Sequence, residues 1–210
     1  MANVAFADPI EPYWDTGGAI SFPMNYGAEE HGSSFLYGYP LQVIAADGGV
    51  GIWSGTVGAG NLILGIAAQN AQNLGTTGAG APVGFSPITS YGSVVGNYLA
   101  NGTQSAAYIS PPMTPISDGY TYWFVAAPTT VFRARIGSSS GGTNPVATAI
   151  TQRGAPYGLT QDAVNSYWFV DTNKSNSVTV VGFDPLDSIG TTGGHVLFVF
   201  NPATAVGDFA

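Results

Sequence analysis

In "TTVFRARIG", residues 129–137, apolar and polar side chains trade places residue by residue. Thr130, Phe132, Ala134 and Ile136 fall on one face of an extended chain, and Val131, Arg133 and Arg135 on the other. That alternation predicts a half-buried strand with the first set toward the core. Arg133 and Arg135 would then project side by side, about 6.6–7 Å apart by the strand rise. From about residue 36 onward, similar runs recur at roughly eight- to twelve-residue spacing. "FLYGYPLQVIAA" ends at the turn Asp47-Gly48-Gly49, and "GVGIWSGTV" and "NLILGIAAQ" follow. "SVVGNYLA" and "TQSAAYIS" flank Asn101-Gly102, a hairpin signal because a type I′ turn needs positive φ at both positions. "YTYWFVAA", "TVFRARIG", "VATAITQR", "SYWFVD", "SVTVVGF" and "HVLFVFNP" complete the predicted strands. "GTTGAGAP" (75–82) and "GSSSGGTNP" (137–145) read as loops, and "TQDAV" (160–164) as a helical turn with Thr160 as N-cap.

Residues 1–35 break this rhythm. Pro9, Pro12 and Pro23 interrupt any period of 2 or 3.6, yet Tyr13, Trp14, Phe22, Met24 and Tyr26 are too apolar for a solvated tail. The preferred reading is an extended N-terminal arm over 1–35 that lies on another surface, beside a β-domain over 36–210. The alternative is an irregular segment packed on its own domain. The five apolar side chains are the arm's candidate contacts with a sister subunit or a larger shell.

Composition narrows the class. Hydrophobic residues make up 45% and charged ones 8%, with 30 Gly and 14 Pro, too much punctuation for long helices. The expectation is all-β: a small β-barrel or jelly-roll-like β-sandwich with the extended arm. The net charge of −8 argues against nucleic acid and anionic membranes, which need clustered cations. Seven acids and no base precede Arg133; five acids and four bases occupy the rest. With no cysteine, disulfides, thiolate metal sites and thiol nucleophiles are excluded. The opening "MANVAFADPIEPYWD" has no basic segment followed by an apolar stretch, and no run reaches the roughly 18 apolar residues of a membrane span. Synthesis in a host cytoplasm without export is the expectation.

Reactive constellations are scarce. Gly137-Ser138-Ser139-Ser140-Gly141 matches G-x-S-x-G, but the Gly142-Thr143-Asn144-Pro145 that follows cannot start the helix a nucleophile elbow requires. Glu29, Glu30 and His31 lack a second ligand cluster, and Gly58-Ala59-Gly60 and Gly78-Ala79-Gly80 lack a βαβ context. Asp184 and Asp187 stand at turn spacing beside Pro185. Asn101-Gly102-Thr103 and Asn173-Lys174-Ser175 match the glycosylation pattern, which matters only in a secretory pathway. No enzyme, cofactor or metal is expected. Arg133 and Arg135 need carboxylate partners, either acids of the same chain or acids of residues 1–132 in a neighbouring copy. The second choice makes them subunit contacts.

Four elements carry a resemblance. A mid-chain strand contains "ILG"; Phe124 to Arg135 reads "FVAAPTTVFRAR"; Gly158, Leu159 and Thr160 are followed by Asp162; Val181 to Pro185 reads "VGFDP". With them, roughly residues 39–203 resemble the capsid cement, or head decoration, proteins of tailed bacteriophages. One departure is Ala127, where the family commonly has an acid before the proline. The resemblance implies a small β-domain, often a homotrimer, that adds to the outer surface of an icosahedral head. Its partners would be the major capsid protein and itself, its location the virion, and its action stabilisation by bridging capsid subunits. The alternative expectation is a tail, spike or head-fibre subunit that binds host-surface glycans.

Overall fold

A computed structural model describes residues 8–15, 22–30, 34–44, 49–56, 61–71 and 120–205. The chain is all-β. Its strands are β1 (Glu11–Asp15), β2 (Met24–Ala28), β3 (Pro40–Val43), β4 (Val50–Ile52), β5 (Ile63–Ala67), β6 (Tyr120–Val125), β7 (Thr130–Ser138), β8 (Asn144–Pro145), β9 (Pro156–Gln161), β10 (Trp168–Asp171), β11 (Val178–Phe183) and β12 (His195–Phe200). The predicted hairpin at Asn101-Gly102, the loop at 75–82 and both G-x-G sites include residues outside those described.

β7 organises the larger sheet. Its neighbours run β7-β10-β9-β11-β12, and β12 returns to β7, so five strands close into a barrel. The pairing is antiparallel except between β7 and β10. β1 pairs with the first half of β7 on the side opposite β12, with Glu11 facing Arg133 and Asp15 facing Thr130. The inward face read from the sequence holds, with Thr130, Phe132, Ala134 and Ile136 buried; of the three outer positions Arg133 and Arg135 stay part-exposed, while Val131 is buried where β1 pairs, opposite Trp14. β12 alternates strictly, with Val196, Phe198 and Phe200 inward. Phe132 and Phe198 are register partners, and Phe200 meets both edge-on with ring centroids 5.2 and 5.5 Å away. Each such ring contributes about 2–3 kcal/mol by leaving water.

The second sheet runs β2-β6-β5-β3-β4, all antiparallel. Its two ends meet where Glu29 bridges Val50 and the Glu30 N–H donates to the Val50 carbonyl at 2.9 Å. The strands approach so closely at Gly65 that any Cβ there would strike the Phe124 carbonyl. One core joins the two sheets. Trp53 and Trp168 lie 5.8 Å apart, Gln161 donates to the Tyr39 hydroxyl, and Ile63 pairs with Ala205 beyond β12.

Three local expectations need correction. Residues 146–153 do not form a strand: Ala147 makes an isolated bridge and Ile150–Gln152 is a 3-10 turn. The buried Gln152 side chain takes the Ala149 N–H and the Ala147 carbonyl, the groups a ladder would need. Residues 160–164 are not helical from Thr160, which instead lies within β9, one residue before its end at Gln161, and donates its hydroxyl to Asp171 at 2.6 Å. Asp162, buried, takes the capping role, accepting from the Val164 N–H and the Asn165 amide. The loop expected from 137 starts later, because Gly137 and Ser138 extend β7 and pair with β8.

Candidate functional site

The two predicted arginines lie on the outer side of β7, and both find carboxylates in their own chain. Arg133 Nη1 donates to Asp184 Oδ2 at 2.9 Å and Nη2 to Glu11 Oε2 at 3.0 Å. Arg135 donates to Asp8 Oδ2 at 2.6 Å and to the Gly193 carbonyl at 2.9 Å. Asp8 Oδ2 also lies 3.2 Å from His195 Nε2, whose Nδ1 lies 2.7 Å from Asp187. Three segments converge here: the stretch entering β1, β7 itself, and the β11–β12 connection. Burial pushes the Asp8 carboxyl up, but Arg135 and His195 outweigh it and hold it below the usual range. Asp184, likewise raised by burial, is brought lower by the Leu186 N–H and Arg133. Asp187 is lowered chiefly by the His195 N–H. The Asp184 hydrogen bond raises Arg133 further.

This network is a clip. Asp184 and Asp187 belong to one turn, in which the Asp187 N–H donates to the Asp184 carbonyl, and each carboxylate is engaged, Asp184 by Arg133 and Asp187 by His195. Ser139, within the G-x-S-x-G match, gives its N–H to Asp171 and leads into a turn. Among the described residues no group of three His, Cys, Asp or Glu side chains is placed to hold a metal ion. Nor, among them, is any helix long and apolar enough to cross a membrane.

The apolar side chains of residues 1–35 are divided between the two sheets. Tyr13 and Trp14 sit on β1, and Trp14 is 62% exposed. Phe22 precedes β2, while Met24 and Tyr26 project from its outer face, 51% and 64% exposed. β6 completes that face: Met24 is paired with Phe124 and Tyr26 with Tyr122, itself 45% exposed. The Tyr26 and Tyr122 rings lie 5.9 Å apart, and Phe22 meets Phe124 edge-on at 6.0 Å. Neither strand carries a charge. Sequence reading missed Tyr122 and Phe124 because "YTYWFV" reads as a continuous apolar run. Its period of 2 was the available signal, with the buried Thr121 and Trp123 on one face and Tyr122 on the other. Chemically this face can contact and exclude water; it offers no reacting group. No family model matches the chain, and no curated protein matches it.

Proposed function

We propose that the chain is a virion structural protein, a cement protein that binds the outer surface of an icosahedral head and stabilises it by bridging capsid subunits. The observation that carries this reading is the uncharged face of β2 and β6, with Met24, Tyr26 and Tyr122 exposed in a protein of net charge −8. Exposed contiguous apolar surface on a soluble chain marks association. Carboxylates elsewhere on the molecule would repel an acidic shell, so contact is favoured where they are absent. The resemblance of residues 39–203 to head decoration proteins points the same way. A barrel whose strands are joined edge to edge suits a part under load, since it leaves little backbone to unzip. Many weak contacts across a shell, repeated by self-association as a homotrimer, would raise effective concentration without any single strong site.

Binding of the purified protein to empty expanded heads tests this. Heads should melt at a higher temperature with the protein present, and Tyr26→Ser/Tyr122→Ser should abolish the increase while the free protein stays folded. Heads that neither bind the protein nor change their melting would overturn the reading. So would binding that is indifferent to those two rings.

A further inference from the structure

A groove of about 440 Å³ opens where the two sheets meet. One wall is Gly55 and Thr56, after β4; the other is the β10–β11 turn over residues 174–177; Gly158 of β9 forms the floor. Its shape is built in. Gly158 admits no side chain, because a Cβ there would collide with that of Lys174. Gly55 sits at φ +78°, where a Cβ would touch the Trp168 ring, and Asn176 turns the far wall at φ +80°. The volume falls within the roughly 300–1,000 Å³ typical of small-molecule sites, and sheet junctions and barrel mouths are common places for them.

The lining chemistry is selective. Arg133 and Arg135 are committed to carboxylates, whereas Lys174 stands exposed on the groove with no carboxylate among the described residues that line it. The remaining side chains are the hydroxyls of Thr56, Ser175 and Ser177 and the amide of Asn176. Among the described residues, no aromatic ring lines the groove to stack a nucleobase, and no aliphatic side chain lines it to seat a peptide's apolar residue. Alternating hydroxyl and amide groups match a polyhydroxylated ligand, and an ammonium among them matches a carboxylate.

We propose that this groove binds a carboxylate-bearing saccharide unit, with the Lys174 ammonium on the carboxylate and the Thr56, Ser175 and Asn176 side chains on ring hydroxyls. The site is independent of the proposed role on the capsid: it uses a different surface, and its test uses the free protein. Calorimetric titration of the full chain with a glucuronic acid trisaccharide, a glucose trisaccharide and inorganic phosphate separates the sources of affinity. The uronate should bind, and Lys174→Gln should weaken it about tenfold or more, the loss of one charge-assisted hydrogen bond. Lys174→Arg should stay within a few-fold of the wild type, and both variants should melt as it does, since Lys174 is exposed and makes no ion pair among the described residues. The glucose trisaccharide should bind at least about tenfold more weakly. Uronate binding unaltered in Lys174→Gln, phosphate binding as tight as the uronate, or no uronate binding at about 10 mM would each overturn the proposal.

Discussion

Arg133 shows how little its exposure says about its importance. Its side chain is part-exposed, yet one of its two partners, the Asp184 carboxylate, is 1% exposed while the other, Glu11, is 37% exposed. Removing the guanidinium leaves a buried carboxylate with only backbone support, a loss of about 1–3 kcal/mol. Removing Glu11 leaves a cation that water can reach, a loss below about 1 kcal/mol. Arg133→Gln should therefore lower the melting temperature several degrees more than Glu11→Gln; equal effects in calorimetry would contradict the asymmetry. The same network sets a pH dependence. Asp8, Asp184 and Asp187 all titrate below the ordinary value of 3.8. Folding thus favours their charged forms, a contribution complete above that value and lost as pH falls through the lower folded values. Melting should hold a plateau from about pH 7 to 5 and decline steeply below about pH 4, with Asp187→Asn flattening the decline. A melting temperature constant to about pH 2.5 would show that these carboxylates do not titrate with unfolding.

Among the elements, β1 and β2 change the picture most. The prolines near them disguise their pairing, and each strand belongs to a different sheet. β1 tolerates Pro12 because it is flanked by β7 on one side, and its register shifts between Pro12 and Trp14. Proline and a bulge at an outer strand also discourage another chain from adding there. Ile10, just before β1, is fully buried, and β2 supplies one complete face of contacts to β6. A chain beginning at residue 36 loses both strands, the clip on β7 and the bridge from Glu29 to Val50. It should be insoluble or unfold without a cooperative transition; a sharp melt by circular dichroism would show that both strands are dispensable.

Across the whole molecule, apolar side chains do two separate jobs. Phe132, Phe198 and Phe200 are at most 1% exposed and hold the barrel together. Met24, Tyr26 and Tyr122 face water, Tyr26 paired with Tyr122 and Met24 with Phe124 across β2 and β6. Phe198→Ala should therefore cost about 3–5 kcal/mol, the cavity term included. The triple change Met24→Ser, Tyr26→Ser, Tyr122→Ser should cost far less, leaving melting within a few degrees, and under the proposed homotrimer it should shift sedimentation toward monomer. A triple variant as unstable as Phe198→Ala would place those side chains in the core's energetics and remove the basis for a contact surface.

How much of this was legible follows from how far each feature reaches along the chain. The all-β class, the strand beginning at Thr130 and its buried face were readable because alternation is a local property, repeated every two residues, whereas its extension through Gly137 and Ser138 was not. The strict alternation of "HVLFVF" was equally open, as was the need of Arg133 and Arg135 for carboxylates. Which carboxylates answered was not: Asp8 and Glu11 lie 127 and 122 residues from their partners, and Asp184 lies 51 away. Those meetings depend on β12 closing back onto β7 while β1 takes its other side. Gln152 and Asp162 likewise redirected local backbone by side-chain bonds that no periodicity reports. Hydrophobic pattern determined the strands and their faces; closure of the sheets decided which faces met, which charges paired, and which aromatic rings were left to the outside.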